Sequence, residues 1–78
     1  MGNNRPVKTK DWVAFLLAHD CIYKRTEASH DHYKCKGCFR TITHREKDSE
    51  IPAMHLRTNL KTMGLAIQYL HEWIKQNR

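Results

Sequence analysis

Hydrophobic positions recur along this chain in two rhythms, one helical and one strand-like, and the switches between them divide it into elements. Trp12, Val13, Phe15, Leu16 and Leu17 form a broad apolar stripe at helical spacing, which predicts a helix over 10–19. Thr9 is its expected N-cap, and Asp11 places a negative charge in the first turn, where the positive helix end favours it. Residues 1–8, with Gly2, two Asn and Pro6, carry no periodic pattern and read as a flexible lead-in. From Cys21 the period drops to two. Residues 21–26 are β-branched and aromatic with polar alternates, and Asp20 turns the chain into them. After a connection at 27–29, residues 30–36 alternate again, with His30, His32, Lys34 and Lys36 on one face and Asp31, Tyr33 and Cys35 on the other. Tyr33 and Cys35 are expected to face the core. Lys36-Gly37 makes a tight turn, and 38–45 follows as a third strand with Arg40, Ile42 and His44 opposite Phe39, Thr41 and Thr43. The three strands predict an antiparallel meander.

Beyond the polar loop 46–50, Ser49 or Glu50 with Pro52 marks the start of a second helix whose inward side is Met54, Leu56, Leu60 and Met63. Gly64 stands where a left-handed residue ends such a helix. Ile67, Leu70, His71 and Ile74 then recur at helical spacing, widened by Tyr69 and Trp73, so a third helix runs to about Gln76. That much apolar area needs a cover, supplied by the chain's own helices, by a second copy or by a partner.

The chain's 78 residues fit one small domain, which buries only about 60% of its unfolded surface. A deep dinucleotide or barrel crevice is excluded, so the work is done on a surface. A net charge of +6 points to an anionic partner, and six histidines make that binding pH dependent. The longest apolar run, 13–18, falls far short of the ~20 residues that cross a bilayer. Three cysteines with no leader-like segment lead us to expect a cytoplasmic chain without a disulfide framework.

Two short motifs can carry chemistry. In Cys35-Lys36-Gly37-Cys38 the cysteines read first as small hydrophobes flanking a hairpin turn; the alternative is a zinc knuckle completed from His30, His32 and His44. In Ala28-Ser29-His30-Asp31-His32-Tyr33 a histidine opens a strand beside a hydroxyl. Lys24, Arg25, Lys34, Lys36, Arg40 and Arg45 share the sheet and its edges with it, which focuses positive potential there.

The order of these pieces resembles the HicA family of small toxin ribonucleases across residues 8–65. The family pattern places Gly-Ser-His-x-x-aromatic at the start of the second strand and ends its last helix in a Leu-x-x-x-Leu-x-x-x-Gly-Leu run. Here these read Ala28-Ser29-His30-Asp31-His32-Tyr33 and Leu56-Arg57-Thr58-Asn59-Leu60-Lys61-Thr62-Met63-Gly64-Leu65. Ala28 replaces the usual Gly, Asp20 stands where a Gly often follows the first helix, and Arg45-Glu46-Lys47-Asp48 replaces a basic, Pro-rich stretch.

The resemblance implies an α+β protein with the α-β-β-β-α fold of a double-stranded-RNA-binding domain, a three-stranded antiparallel sheet packed on helices over 9–65; the helix read from periodicity makes 66–78 a C-terminal helical extension outside that core. It further implies an mRNA interferase of a toxin–antitoxin pair, metal-independent and without cofactor, with His30 catalytic and a HicB-like antitoxin as partner, in a homodimer or toxin–antitoxin hetero-oligomer. Chemically this is coherent, because RNA supplies its own nucleophile in the 2′-hydroxyl and the protein need only move protons and stabilise charge. Ser29, His32 and the six basic residues are then expected to bind substrate. A non-catalytic nucleic-acid-binding module, with or without zinc, is the competing expectation.

Overall fold

The computed structural model describes residues 5–45 and 47–77. Its elements in order are β1 (Val7–Lys8), α1 (Thr9–Ala18), β2 (Cys21–Glu27), β3 (His30–Cys35), β4 (Ile42–Arg45), β5 (Glu50–Ile51), α2 (Ala53–Met63) and α3 (Ile67–Gln76). The fold is α+β: β2, β3 and β4 form the expected three-stranded antiparallel meander, accompanied by three helices, while β1 and β5 pair as a separate two-stranded ribbon.

The alternation read along β3 holds. Tyr33 and Cys35 are buried together with Ile42 of β4, and His30 and Lys36 are exposed. In register, Tyr33 lies opposite Tyr23 on one side and Ile42 on the other. Lys24 is extruded as a bulge, because pairing shifts between Tyr23 and Arg25; Thr26 thereby comes opposite Asp31.

Several expectations need correction. The stretch 1–8 is not wholly a lead-in, since Val7 is buried and Val7–Lys8 pairs with Glu50–Ile51. Residues 1–4 lie outside the described residues. Thr9 is not the N-cap but the first helical residue, with its hydroxyl donating to the Asp48 carbonyl at 2.6 Å and its amide to the Ser49 carbonyl at 2.9 Å. These bonds draw 48–51 alongside the entry to α1, so Glu50 is consumed by a strand and Pro52 takes the cap position of α2. The third meander strand starts at Ile42 rather than Cys38, because the Lys34 ammonium donates to the carbonyls of Cys38 and Phe39 and folds 36–41 into a loop.

A further correction is covalent. Cys21 and Cys35, directly opposed on β2 and β3, form a disulfide with their Cα atoms 3.9 Å apart, which leaves Cys38 as the free cysteine. Cys35 is therefore neither half of a zinc knuckle nor a simple small hydrophobe, and the expectation of a chain without a disulfide does not hold. Odd cysteine number concealed this, because the deciding fact is the strand register.

Leu56 and Leu60 of α2 are fully buried, Met63 is partly so, and Met54 faces solvent, contrary to its assignment to the inward side. Gly64 ends α2 in the left-handed region, φ 75°, as its position predicted. Leu65 then returns its amide to the Leu60 carbonyl at 2.9 Å.

Ile67, Leu70 and Ile74 of α3 join the same core as Trp12, Phe15 and Leu16 of α1, so the last helix covers its apolar stripe within the chain. Each fully buried side chain of this kind contributes roughly 1.5–3 kcal/mol. His19 fastens the two helices. Its Nδ1–H donates to the Phe15 carbonyl at 2.7 Å, and in the neutral ring Nε2 then accepts from the Tyr69 hydroxyl at 2.8 Å. No described helix is long and apolar enough to cross a membrane.

Candidate functional site

The β2–β3 hairpin turns through two residues, Ala28 and Ser29, both with positive φ (52° and 67°). That backbone is the tight turn whose twist matches paired strands, and it is normally built from Asn-Gly. His30 follows at once as the first residue of β3. It is exposed, lies between Glu27 of β2 and Arg45 of β4, and its Nδ1 sits 3.1 Å from the Ala28 carbonyl. A carbonyl only accepts, so Nδ1 carries a hydrogen, and in the neutral ring the lone pair is then on Nε2.

Around this tip the sheet gathers some of the expected site residues and disperses others. Ser29 forms the turn, Arg45 lies across from His30, and Arg25 lies across from His32. Arg25 Nε is 3.5 Å from Glu27 Oε1, an exposed pair held near the tip. His32, half-buried, follows His30 on the same face. Lys24 occupies the bulge. Lys34 is committed to the loop carbonyls at the far end of β3, where Lys36 and Arg40 also lie. At ~3.3 Å per residue, Lys36 stands on the order of 20 Å from His30 along the strand.

On the other face the structure assembles a polar chain that the sequence reading did not assign. The Tyr23 hydroxyl donates to Thr26 Oγ1 at 2.6 Å, Thr26 donates to Asp31 Oδ1 at 2.5 Å, and Asp31 Oδ2 lies 3.4 Å from His44 Nε2. His44 is 4% exposed and stacks on Tyr33, ring centroids 5.6 Å apart. Burial pushes the His44 imidazole below its ordinary value of 6.5, against the pull of the Asp31 carboxylate and hydrogen bond, and charge on nearby His30 lowers it further. Burial also raises the Tyr33 phenol, assisted by the Asp31 charge.

The sequence held a signal for this chain. Asp31 alternates with Tyr33, and His44 with Ile42, so both polar residues stand at inward positions of neighbouring strands. Among the described residues no group of three or more His, Cys, Asp or Glu side chains is arranged to hold a metal ion. No family model, curated protein or solved structure matches the chain. The residues themselves offer an exposed histidine, an arginine opposite it, and behind them a buried His44 beside the half-buried Asp31 carboxylate.

Proposed function

We propose that the protein is a ribonuclease toxin of the HicA type, in which α1, β2, β3, β4 and α2 form an arrangement like that of a double-stranded-RNA-binding domain. The observation that carries this reading is His30 itself, exposed at the rim of the sheet with Nδ1 anchored to the Ala28 carbonyl and Arg45 opposite. His30 Nε2 takes the proton of an RNA 2′-hydroxyl as that oxygen attacks the adjacent phosphorus. The bond from phosphorus to the 5′-oxygen breaks, and the imidazolium returns the proton to the leaving oxygen. Products are a 2′,3′-cyclic phosphate and a 5′-hydroxyl. In this reading Arg45, opposite His30, and Arg25, opposite His32, meet the charge that accumulates on the phosphoryl oxygens. A HicB-like antitoxin is the proposed regulator, drawn by the same positive surface that attracts RNA.

The test is cleavage of single-stranded RNA by the purified chain in excess chelator. We expect cyclic-phosphate ends, and a rate lower by roughly 10²–10⁴ in His30→Ala. Full activity in His30→Ala, or RNA binding without any cleavage, would overturn the proposal; the second result belongs to a non-catalytic binding module.

A further inference from the structure

Phe39 is the most exposed large hydrophobic side chain among the described residues, at 101% of its reference area, yet its loop is tied down on both sides. The Cys38 amide donates to the Cys35 carbonyl at 3.1 Å and the Cys38 thiol to the Thr62 carbonyl at 3.6 Å. The Lys34 ammonium holds the Phe39 carbonyl at 3.2 Å. The backbone is therefore anchored to β3 and α2 while the ring stands in solvent. Beside it, between the loop and α2, runs a shallow groove of about 430 Å³ lined in part by Phe39, Arg40, Thr58, Lys61 and Thr62. Two of the lining residues are cations and none is a carboxylate.

We infer that this groove is a binding subsite for an unpaired nucleotide of single-stranded RNA, with the base stacked on Phe39 and the flanking phosphates on Arg40 and Lys61. The chemistry favours that occupant over an acidic protein segment. Carboxylates would use the cations and leave the ring with little, whereas every nucleobase offers a π-face to an aromatic and brings its own anions. The Thr58 and Thr62 hydroxyls donate to the carbonyls of Met54 and Thr58, which leaves their oxygen lone pairs to accept from a base edge or a 2′-hydroxyl. Such a platform holds a strand without reading its sequence. It lies at the end of β3 away from His30, a distance that an RNA strand crosses in a few nucleotides. The inference rests on the ribonuclease reading for the identity of the strand, and on the loop for the site.

The experiment is fluorescence anisotropy with a labelled 2′-O-methyl oligouridine, which lacks the nucleophile and so reports binding alone to the full chain. Phe39→Ala is expected to bind about tenfold more weakly with unchanged thermal stability, because the ring packs on nothing. Phe39→Trp should restore affinity and show quenched tryptophan emission on binding. Arg40→Gln and Lys61→Gln should each weaken binding and flatten its salt dependence. Wild-type affinity in Phe39→Ala overturns the subsite, even where His30-dependent cleavage upholds the ribonuclease. A tenfold loss in Phe39→Ala without any cleavage by the wild type retains the subsite and overturns the ribonuclease. Loss of binding to an acidic peptide in Phe39→Ala, with RNA binding intact, overturns the subsite and assigns the surface to a protein.

Discussion

Asn59 of α2 pairs its carboxamide with both backbone groups of Thr43 on the outer strand of the meander: Nδ2 donates to the Thr43 carbonyl at 2.9 Å, and the Thr43 amide donates to Oδ1 at 3.5 Å. A side chain thus occupies the place of a further strand and closes an edge that is otherwise open to pairing. Asn59→Ala should lower stability by about 1 kcal/mol or a little more, since it leaves the half-buried backbone groups of Thr43 without their partner. Asn59→Asp should do more harm, because it replaces the donor and sets an acceptor against the Thr43 carbonyl. Urea unfolding of the three proteins ranks them; equal midpoints for wild type and Asn59→Ala would remove the pairing from the energetics.

The Ala28-Ser29 turn holds two non-glycine residues in the left-handed region, and Asp20 (φ 63°) does the same between α1 and β2. A side chain there is disfavoured by roughly 1–2 kcal/mol, partly offset by the greater freedom glycine has when unfolded. Ala28→Gly is therefore expected to stabilise the protein by about 0.5–1 kcal/mol. Asp20→Gly should gain less, since Asp tolerates this backbone better than Ala. A chemical-denaturation midpoint below wild type for Ala28→Gly would contradict the assigned turn.

His44 and Tyr33, stacked on each other, set two limits on the pH range of stability. His44 has a folded value below 6.5, so the unfolded chain binds the extra proton first, and stability falls as pH drops below about 6.5. Tyr33 has a folded value above 10.0, so the unfolded chain loses its proton first, and stability falls as pH rises past about 10. His44→Gln should flatten the acid limb alone and Tyr33→Phe the alkaline limb alone. Melting temperatures across both limbs check each assignment.

Cys21 and Cys35 are separated by 14 residues, and closing a loop of that size contributes about 3 kcal/mol through the unfolded state. Reduction, or Cys21→Ser, should lower stability by that order. Alkylation of urea-unfolded protein should add one adduct before reduction, at Cys38, and three after it. Three adducts without reductant would refute the bond.

Much of this architecture was readable in the chain. The helices of Trp12, Leu60 and Leu70, the strand of Tyr33 and the terminator Gly64 are each set by local periodicity or backbone preference. What escaped was decided by contacts distant in sequence. Val7 becomes a strand only because Ile51 lies opposite, Asn59 is buried only because Thr43 needs a partner, and Cys21 meets Cys35 only in one register. At the candidate site, a connection before His30 and a strand opening at His30 were legible locally, whereas the left-handed Ala28-Ser29 backbone was not. The chain from Tyr23 to His44 needed the bulge at Lys24 to bring Thr26 opposite Asp31, and no local signal announces a bulge.

The bond between Cys21 and Cys35 also makes the stretch 21–35 a covalent macrocycle with His30 on its far rim. Lys24, Arg25 and Lys34 all lie within it, so a trypsin-like cut at any one of them opens the circle without releasing a fragment. A nicked molecule, heavier by one water, keeps every residue until a reductant is added. Proteolytic damage to the hairpin and loss of the hairpin are thereby two separate events, the second gated by thiols.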